Sequence, residues 1–212
     1  MTLAPHIACR RFLLCDPIPG EHILDVGCGN GDLIQEQLRI PGTVIGTEIE
    51  PQLVAAGRAQ GLDVRFGFAE NLPFEDNSFD RLLCSVVVPY TDERKAISEF
   101  ARVLKPGGRI HATYHGLGYA LHQIFRARQL RVRAYGFRTL LNTYSYWITG
   151  RRLPGKLGDA QCQSVRRLAA YYVSARLELQ QELVVATFGN YPRFLCHDLR
   201  KPLDTRRQQR SA

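Results

Sequence analysis

The chain has 212 residues, 45% of them hydrophobic, and a formal net charge of +8. That length suits one well-cored domain rather than two. No apolar run reaches the roughly 20 residues that a membrane-spanning helix needs, and residues 1–20 lack the apolar core of a secretory signal. We therefore expect a cytoplasmic protein. The six cysteines show no metal-ligand spacing, so we expect reduced thiols and no metal.

Short β-rich runs alternate with helical segments between residues 21 and 115, as in βαβ units with a parallel sheet. The first five predicted strands cover residues 22–26, 43–49, 63–68, 81–88 and 109–114. The fourth contains LLCSVVV, which is apolar without alternation and so indicates a central strand covered on both sides. Two more strands are predicted over residues 177–186 and 194–199. The predicted fold is α/β, with a doubly wound, mostly parallel, seven-stranded sheet and helices on both faces.

Residues 116–172, between predicted strands 5 and 6, contain no strand pattern. A plain loop of that length is uncommon in a compact domain, so we predict a helical lid inserted there. Amphipathic spacing indicates helices near residues 121–125 and 165–172, with a mixture of short helix and loop between them. We expect a single domain over residues 1–202, and a disordered basic tail over residues 203–212, where apolar residues are few.

A glycine-rich loop follows the first predicted strand. The sequence ILDVGCGNGDL places Gly27, Gly29 and Gly31 before a helix that starts near Asp32, and such glycines allow a nucleotide to approach the backbone. Glu48 ends the second strand, where a carboxylate can accept hydrogen bonds from ribose hydroxyls. A dinucleotide fingerprint needs a third glycine where this chain has Asp32. The pattern therefore disfavours NAD and FAD and favours an adenosyl ligand without phosphate.

Four motifs, LDVGCGNG, GTEIEP, AENLPFEDNSFD and ARVLKPGG, together resemble the class I S-adenosylmethionine-dependent methyltransferase family over about residues 21–115. The resemblance implies a Rossmann-like fold and S-adenosylmethionine as the cofactor. It places residues 25–31 along the methionine part of the cofactor, with Glu48 on the ribose and Ile49 on the adenine. The cofactor-binding residues that it implies are Asp25, Gly27, Cys28, Gly29, Gly31, Glu48, Ile49, Ala69, Glu70 and Ser85.

The chain departs from the family pattern in two places. Many members carry an acidic residue before the alanine of the third motif, near the adenine amino group, where this chain has Phe68. A histidine often follows the fourth strand, where this chain has Pro89 and Tyr90. Tyr90 thus becomes a candidate for the acceptor side of the site. His115, just after the fifth strand, is the candidate base or acceptor orienter, although a histidine there can equally be structural.

The leading hypothesis is a methyltransferase that acts on a small lipophilic or aromatic metabolite. Aromatic side chains of the insertion could line its pocket, and Arg151 and Arg152 could bind a carboxylate or phosphate. One alternative is an RNA methyltransferase, because residues 126–176 contain eleven basic residues and one acid. Another is a non-catalytic, cofactor-binding scaffold. The pattern leaves the acceptor atom and the oligomeric state open.

Overall fold

A computed structural model describes residues 5–13, 18–37 and 43–203. Its strands are β1 (His22–Val26), β2 (Thr43–Glu48), β3 (Val64–Phe66), β4 (Phe79–Ser85), β5 (Leu104–His115), β6 (Glu178–Phe188) and β7 (Tyr191–Arg200). They form one seven-stranded sheet in the order β3-β2-β1-β4-β5-β7-β6. Strands β1 to β5 pair in parallel, while β7 runs antiparallel between β5 and β6. The predicted mostly parallel sheet is confirmed.

Helices cover both faces of this sheet, as predicted. They are α1 (Pro5–Leu13), α2 (Asp32–Gln37), α3 (Pro51–Ala59), α4 (Glu93–Val103), α5 (Leu117–Arg126), α6 (Leu130–Thr149) and α7 (Val165–Ser174). One hydrophobic core joins the sheet to α4 and α7, and a second joins the opposite face to α1, α2 and α3. The edge of the sheet formed by the carboxyl ends of β1, β2 and β4 therefore lies between two helical layers.

The central strand β4 contributes to both cores. Leu82 and Cys84 lie in one core and Leu83 lies in the other, which explains why the run lacks polar alternation. The strand ends at Ser85, earlier than predicted, because Val86 takes a left-handed backbone conformation with φ of 56°. This conformation is costly for a β-branched residue. It turns the chain into a short 3-10 helix, Val88–Tyr90.

The insertion between β5 and β6 is helical in the structure. Helix α5 packs on β7 and β6, and α6 packs on α5. Gly136 allows this close contact, because a Cβ atom there would lie 2.8 Å from the Ala120 carbonyl oxygen. Helix α6 is one continuous helix of 20 residues, where the sequence pattern predicted short helix and loop. A second 3-10 helix, Gly155–Gly158, and α7 complete the insertion.

Two further predictions concern the ends and the thiols. The described chain ends at Leu203, so residues 204–212 of the predicted disordered tail lie outside the described residues. The five described cysteines are free and buried, and Cys15 also lies outside those residues. Within the described ranges, no helix is both long and apolar enough to cross a bilayer.

Candidate active site

Two adjoining cavities at the carboxyl ends of β1, β2 and β4 form one cleft. The first cavity, of about 350 Å³, lies against the loop after β1. The second cavity, of about 370 Å³, lies against the ends of β2 and β4. Gly27, Ser85 and Val86 line both cavities and so join them. This is the crevice in which open parallel sheets bind ligands.

Most of the predicted site residues meet in this cleft. Asp25, Cys28 and Gly29 line the first cavity, in addition to the shared Gly27 and Ser85. The second cavity is lined by further predicted residues, namely Glu48, Ile49, Ala69, Glu70 and Tyr90.

Two predicted residues, Gly31 and His115, are not among the lining residues of either cavity. Gly31 has φ of 83°, and a Cβ atom there would lie 2.3 Å from Cδ1 of Leu62. It therefore serves the tight turn into α2 rather than the cleft wall.

The glycine loop is held against β2 by its own backbone. The N–H groups of Gly27 and Cys28 both donate to the Thr47 carbonyl oxygen, at 2.8 and 3.0 Å. Gly27 has φ of 69°, and a Cβ atom there would lie 2.2 Å from Cγ2 of Val87. Position 27 thus has room only for glycine, which leaves backbone rather than side chain at the junction of the two cavities.

Asp25 brings a buried carboxyl group to the first cavity. Its side chain is almost fully buried, and within the described residues its Oδ2 atom has no hydrogen-bond partner. Burial, followed by the nearby charge of Glu48, raises the pKa of Asp25 to about 7. A buried acceptor without a partner is costly, so this position favours a ligand that brings a cationic donor.

The Glu48 carboxylate is already engaged at the end of β2. Its Oε2 atom accepts from the Gly29 N–H at 2.9 Å, and its Oε1 atom accepts from the N–H groups of Ile49 and Glu50 at 2.7 and 3.1 Å. A carboxylate has about four acceptor positions. One acceptor position remains, on Oε2, and one ligand hydroxyl can donate to it. A second ligand hydroxyl can donate to Oε2 only by replacing the hydrogen bond from Gly29.

Apolar side chains border the rest of the second cavity. Ile49 and Phe68 are about half exposed, and the Phe68 ring makes an edge contact with Phe66 at 5.5 Å. Glu70 is held by the Asp92 N–H, which donates to its Oε1 atom at 2.9 Å. Flat apolar surfaces beside a carboxylate suit a nucleoside, whose base stacks while its sugar is hydrogen-bonded. These residues therefore fit the adenosyl part of S-adenosylmethionine, and Asp25 fits the α-amino group of its methionine part.

Aromatic residues of the insertion meet the cleft at Tyr90. The Tyr90 hydroxyl lies 3.0 Å from the hydroxyl of Tyr135 on α6. His115 stacks on Tyr119 with ring centroids 3.6 Å apart, and its ring centroid lies 6.4 Å from that of Tyr90. Burial lowers the pKa of His115 to about 3, so its imidazole is neutral at physiological pH. His115 thus lies behind the Tyr90 ring and does not line the cleft.

A fully buried carboxylate ties the insertion to α4. Glu93 accepts two hydrogen bonds from Arg167, both at 2.8 Å, and one each from Gln161 and Gln163. Sequence reasoning missed this cluster, because a glutamate in the first turn of a helix is normally exposed. The pairing partners lie about 70 positions away, so no local pattern indicates them.

Arg152 makes a contact within the protein, whereas the sequence suggested a contact with a carboxylate or phosphate of the substrate. Its guanidinium donates to the carbonyl oxygens of Pro89, at 3.1 Å, and Thr91. Arg152 therefore holds the insertion against the turn that carries Tyr90. Arg151, by contrast, is exposed.

The sheet order, the glycine loop and the cleft are those of the class I, Rossmann-like methyltransferase fold. Residues 24–112 match a family model described as "Methyltransferase domain". The chain is also similar to a solved S-adenosylmethionine-dependent methyltransferase from Mesorhizobium loti, at 16% identity and a TM-score of 0.69 over 93% of this chain and 98% of the other. A geranyl diphosphate methyltransferase solved with S-adenosylmethionine gives 16% identity and a TM-score of 0.65, over 92% and 84% of the two chains. The resemblance and the fold stated above are thus confirmed, and S-adenosylmethionine is the cofactor of this class.

Curated relatives match over a shorter region. Demethylmenaquinone methyltransferase of Chlorobaculum tepidum is 41% identical over 90 residues, which are 41% of this chain and 37% of that protein. The ubiquinone/menaquinone biosynthesis C-methyltransferase of Hahella chejuensis is 37% identical over 124 residues, which are 52% of this chain and 50% of that protein. The match therefore spans half or less of these relatives' length.

Proposed function

We propose that this protein transfers a methyl group from S-adenosylmethionine to a small lipophilic acceptor, with an aromatic quinol as the favoured class. The observation that carries the proposal is the single cleft that combines the buried Asp25 carboxyl, the Glu48 carboxylate and an apolar wall. The names of the curated relatives, which refer to menaquinone and ubiquinone, support the acceptor class.

The cofactor would lie across both cavities. Asp25 would accept from its amino group, Glu48 from a ribose hydroxyl, and Ile49 and Phe68 would border the adenine. Gly27, Gly29 and Ser85 would lie along the methionine part, with Cys28 behind the loop and Ala69 and Glu70 near the base. These roles use the acceptor positions that the described residues leave open.

The chemistry places few demands on the protein. Bound S-adenosylmethionine would supply a methyl group activated by its sulfonium, and S-adenosylhomocysteine would be the leaving group once that methyl group is transferred to the acceptor. Proximity and alignment account for most of the rate gain. A neutral quinol would release one proton to solvent overall, whereas a quinol that is already ionised has lost that proton before the transfer and needs no strong base.

Tyr90 would position the acceptor, because its hydroxyl is tied to Tyr135 at the edge of the second cavity. His115 would act through its aromatic neighbours as a positioning residue. Its lowered pKa makes the neutral imidazole a weak proton acceptor. The insertion would then serve as the lid that covers the acceptor.

An acceptor assay tests this function. The purified protein is incubated with S-adenosylmethionine and a short-chain naphthoquinol that lacks the ring methyl group, and S-adenosylhomocysteine is quantified. We expect acceptor-dependent product, with Tyr90→Phe raising KM more than it lowers kcat. Cofactor binding without product on quinols, phenols and RNA would instead support a non-catalytic scaffold.

A further inference from the structure

Helix α6 presents an apolar stripe to solvent. The stripe is formed by six residues spaced alternately four and three positions apart: Leu130, Ala134, Phe137, Leu141, Tyr144 and Ile148. That spacing places them along one side of a helix, over a length of about 27 Å. All six are exposed, with Leu130 at 77% and Ile148 at 81%.

The buried side of α6 is polar, the reverse of what a helix packed on a core normally shows. Its buried residues are Gly136, Thr139, Asn142 and Thr143. Asn142 donates to the Ala160 carbonyl at 2.8 Å and accepts from the Leu153 N–H at 2.9 Å. Because these hydrogen bonds fix the rotation of the helix, the apolar stripe cannot turn inward without breaking them.

Arginines lie on both sides of the stripe. Arg133 flanks one side, and Arg131 and Arg138 flank the other, by the 3.6-residue helical repeat. Residues 126–158 contain no aspartate or glutamate. Within the described ranges, none of these three arginines forms an ion pair. The helix and the segments that flank it in sequence therefore carry basic residues and no acidic ones.

We propose that the α6 stripe docks on the surface of an anionic lipid bilayer, with the helix lying in the plane of the interface. An apolar stripe flanked by arginines is the pattern of interfacial helices, and anionic headgroups supply the negative charge that the surroundings of α6 lack. A second copy that docked through its own stripe would bring the same arginines, and no acid from residues 126–158, to the contact. A bilayer is therefore the better match.

Docking would bring the cleft close to the lipid. Tyr135 lies on α6, and its hydroxyl contacts Tyr90 at the edge of the second cavity. The helix that enters the interface is thus also the helix that borders the acceptor side. This link to a lipophilic acceptor rests on the proposed function, whereas the docking itself does not.

The only tryptophan of the chain, Trp147, lies beside the stripe and reports on docking directly. Its emission is recorded as vesicles of phosphatidylcholine, with or without phosphatidylglycerol, are added, and co-sedimentation is measured in parallel. We expect a blue shift with phosphatidylglycerol vesicles, quenching by brominated lipids, and weaker binding as salt is raised.

The variant F137S/I148S removes two exposed apolar side chains, so it is expected to fold and to bind vesicles about tenfold more weakly. The control V173S changes a residue that is 78% exposed on α7, and its binding should equal that of the unaltered protein. Absence of vesicle binding, or equal binding by F137S/I148S, would overturn the proposal. So would a dimer that F137S/I148S abolishes, or a Trp147 response to single-stranded RNA but not to vesicles.

If F137S/I148S does not fold, quenching of Trp147 by lipids brominated at different depths decides the question on the unaltered protein. Cofactor affinity is measured separately without vesicles. Loss of docking with intact cofactor binding would refute the bilayer surface alone and leave the proposed function standing.

Discussion

At the scale of single residues, the cleft depends on two carboxyl groups in opposite situations. Asp25 is buried and its Oδ2 atom lacks a partner within the described residues, so its charged form is disfavoured. Glu48 accepts three backbone hydrogen bonds, which satisfy most of its acceptor positions. The cofactor-free site thus carries an unsatisfied acid beside a satisfied one, and binding of a cation would satisfy the first.

Cofactor affinity should therefore depend on pH. A bound cation favours ionised Asp25, so the pKa of Asp25 falls on binding and affinity rises as pH passes upward through about 7. We expect binding to be about tenfold weaker at pH 6 than at pH 8, as measured by calorimetry. In Asp25→Asn this dependence should disappear. A dependence that is unchanged in the variant would assign it to another group.

The raised pKa of Asp25 also predicts that this residue lowers the free energy of unfolding at high pH. Because the folded pKa of Asp25, about 7, exceeds the ordinary value of 3.8, the cost is absent below about pH 3.8, grows between the two values and is complete above pH 7. Asp25→Asn should therefore raise the Tm of the cofactor-free protein by several degrees at pH 8 and by little at pH 4. Thermal scans at both pH values check this. An equal or lower Tm at pH 8 would contradict it.

Glu48 combines binding with local structure. We expect Glu48→Ala to weaken cofactor binding by about 1.5–3 kcal/mol and also to lower the Tm, because three backbone N–H groups lose their acceptor. The neighbouring Glu50→Ala is the matched control, since Glu50 is exposed and its side chain makes no cap hydrogen bond. Calorimetry and thermal scans on both variants distinguish the roles. Unchanged affinity in Glu48→Ala would refute the ribose placement.

At the scale of elements, the insertion is fixed to the core by buried polar contacts. Glu93, at the start of α4, receives Arg167 from α7 and two glutamines from the preceding segment. Arg167 also lies over the Tyr146 ring of α6 at 4.7 Å. One carboxylate thus joins α4 to α7, and Arg167 extends this contact to α6.

Breaking this cluster should destabilise the protein strongly. We expect Arg167→Met to lower the free energy of unfolding by about 3–5 kcal/mol, because the buried Glu93 loses its charged partner. Arg166→Met is the control, since Arg166 is exposed on the same helix. Urea denaturation measures both. A loss in Arg167→Met no larger than that in Arg166→Met would show that the ion pair contributes little.

Elements with a local periodic signal could be predicted, whereas those that depend on distant partners could not. The apolar run of β4 indicated its central place correctly, but not its end, because nothing local marks the left-handed Val86. Helix α6 was predicted as partly loop, since its aromatic and small polar residues carry a weak helical signal. The residues of the cleft could be predicted to lie together, because a glycine loop and strand ends have fixed positions in a parallel sheet.

At the scale of the whole molecule, the positive insertion adjoins the cleft through the contact between Tyr135 and Tyr90. The eleven basic residues of positions 126–176 are the feature that favours the RNA methyltransferase alternative. In the structure, Arg152 and Arg167 are engaged in internal contacts, while the arginines around the α6 stripe are exposed or half-buried. Some of these basic residues thus hold the fold together, while others form a surface suited to anionic lipid.

The central claim is that the cleft binds S-adenosylmethionine. The most direct test is a calorimetric titration of the purified protein with S-adenosylmethionine and S-adenosylhomocysteine, with NAD as the control ligand. We predict micromolar binding of the first two, on the order of −8 kcal/mol, and none of NAD. Failure of both adenosyl ligands to bind, or binding of NAD in their place, would contradict the account.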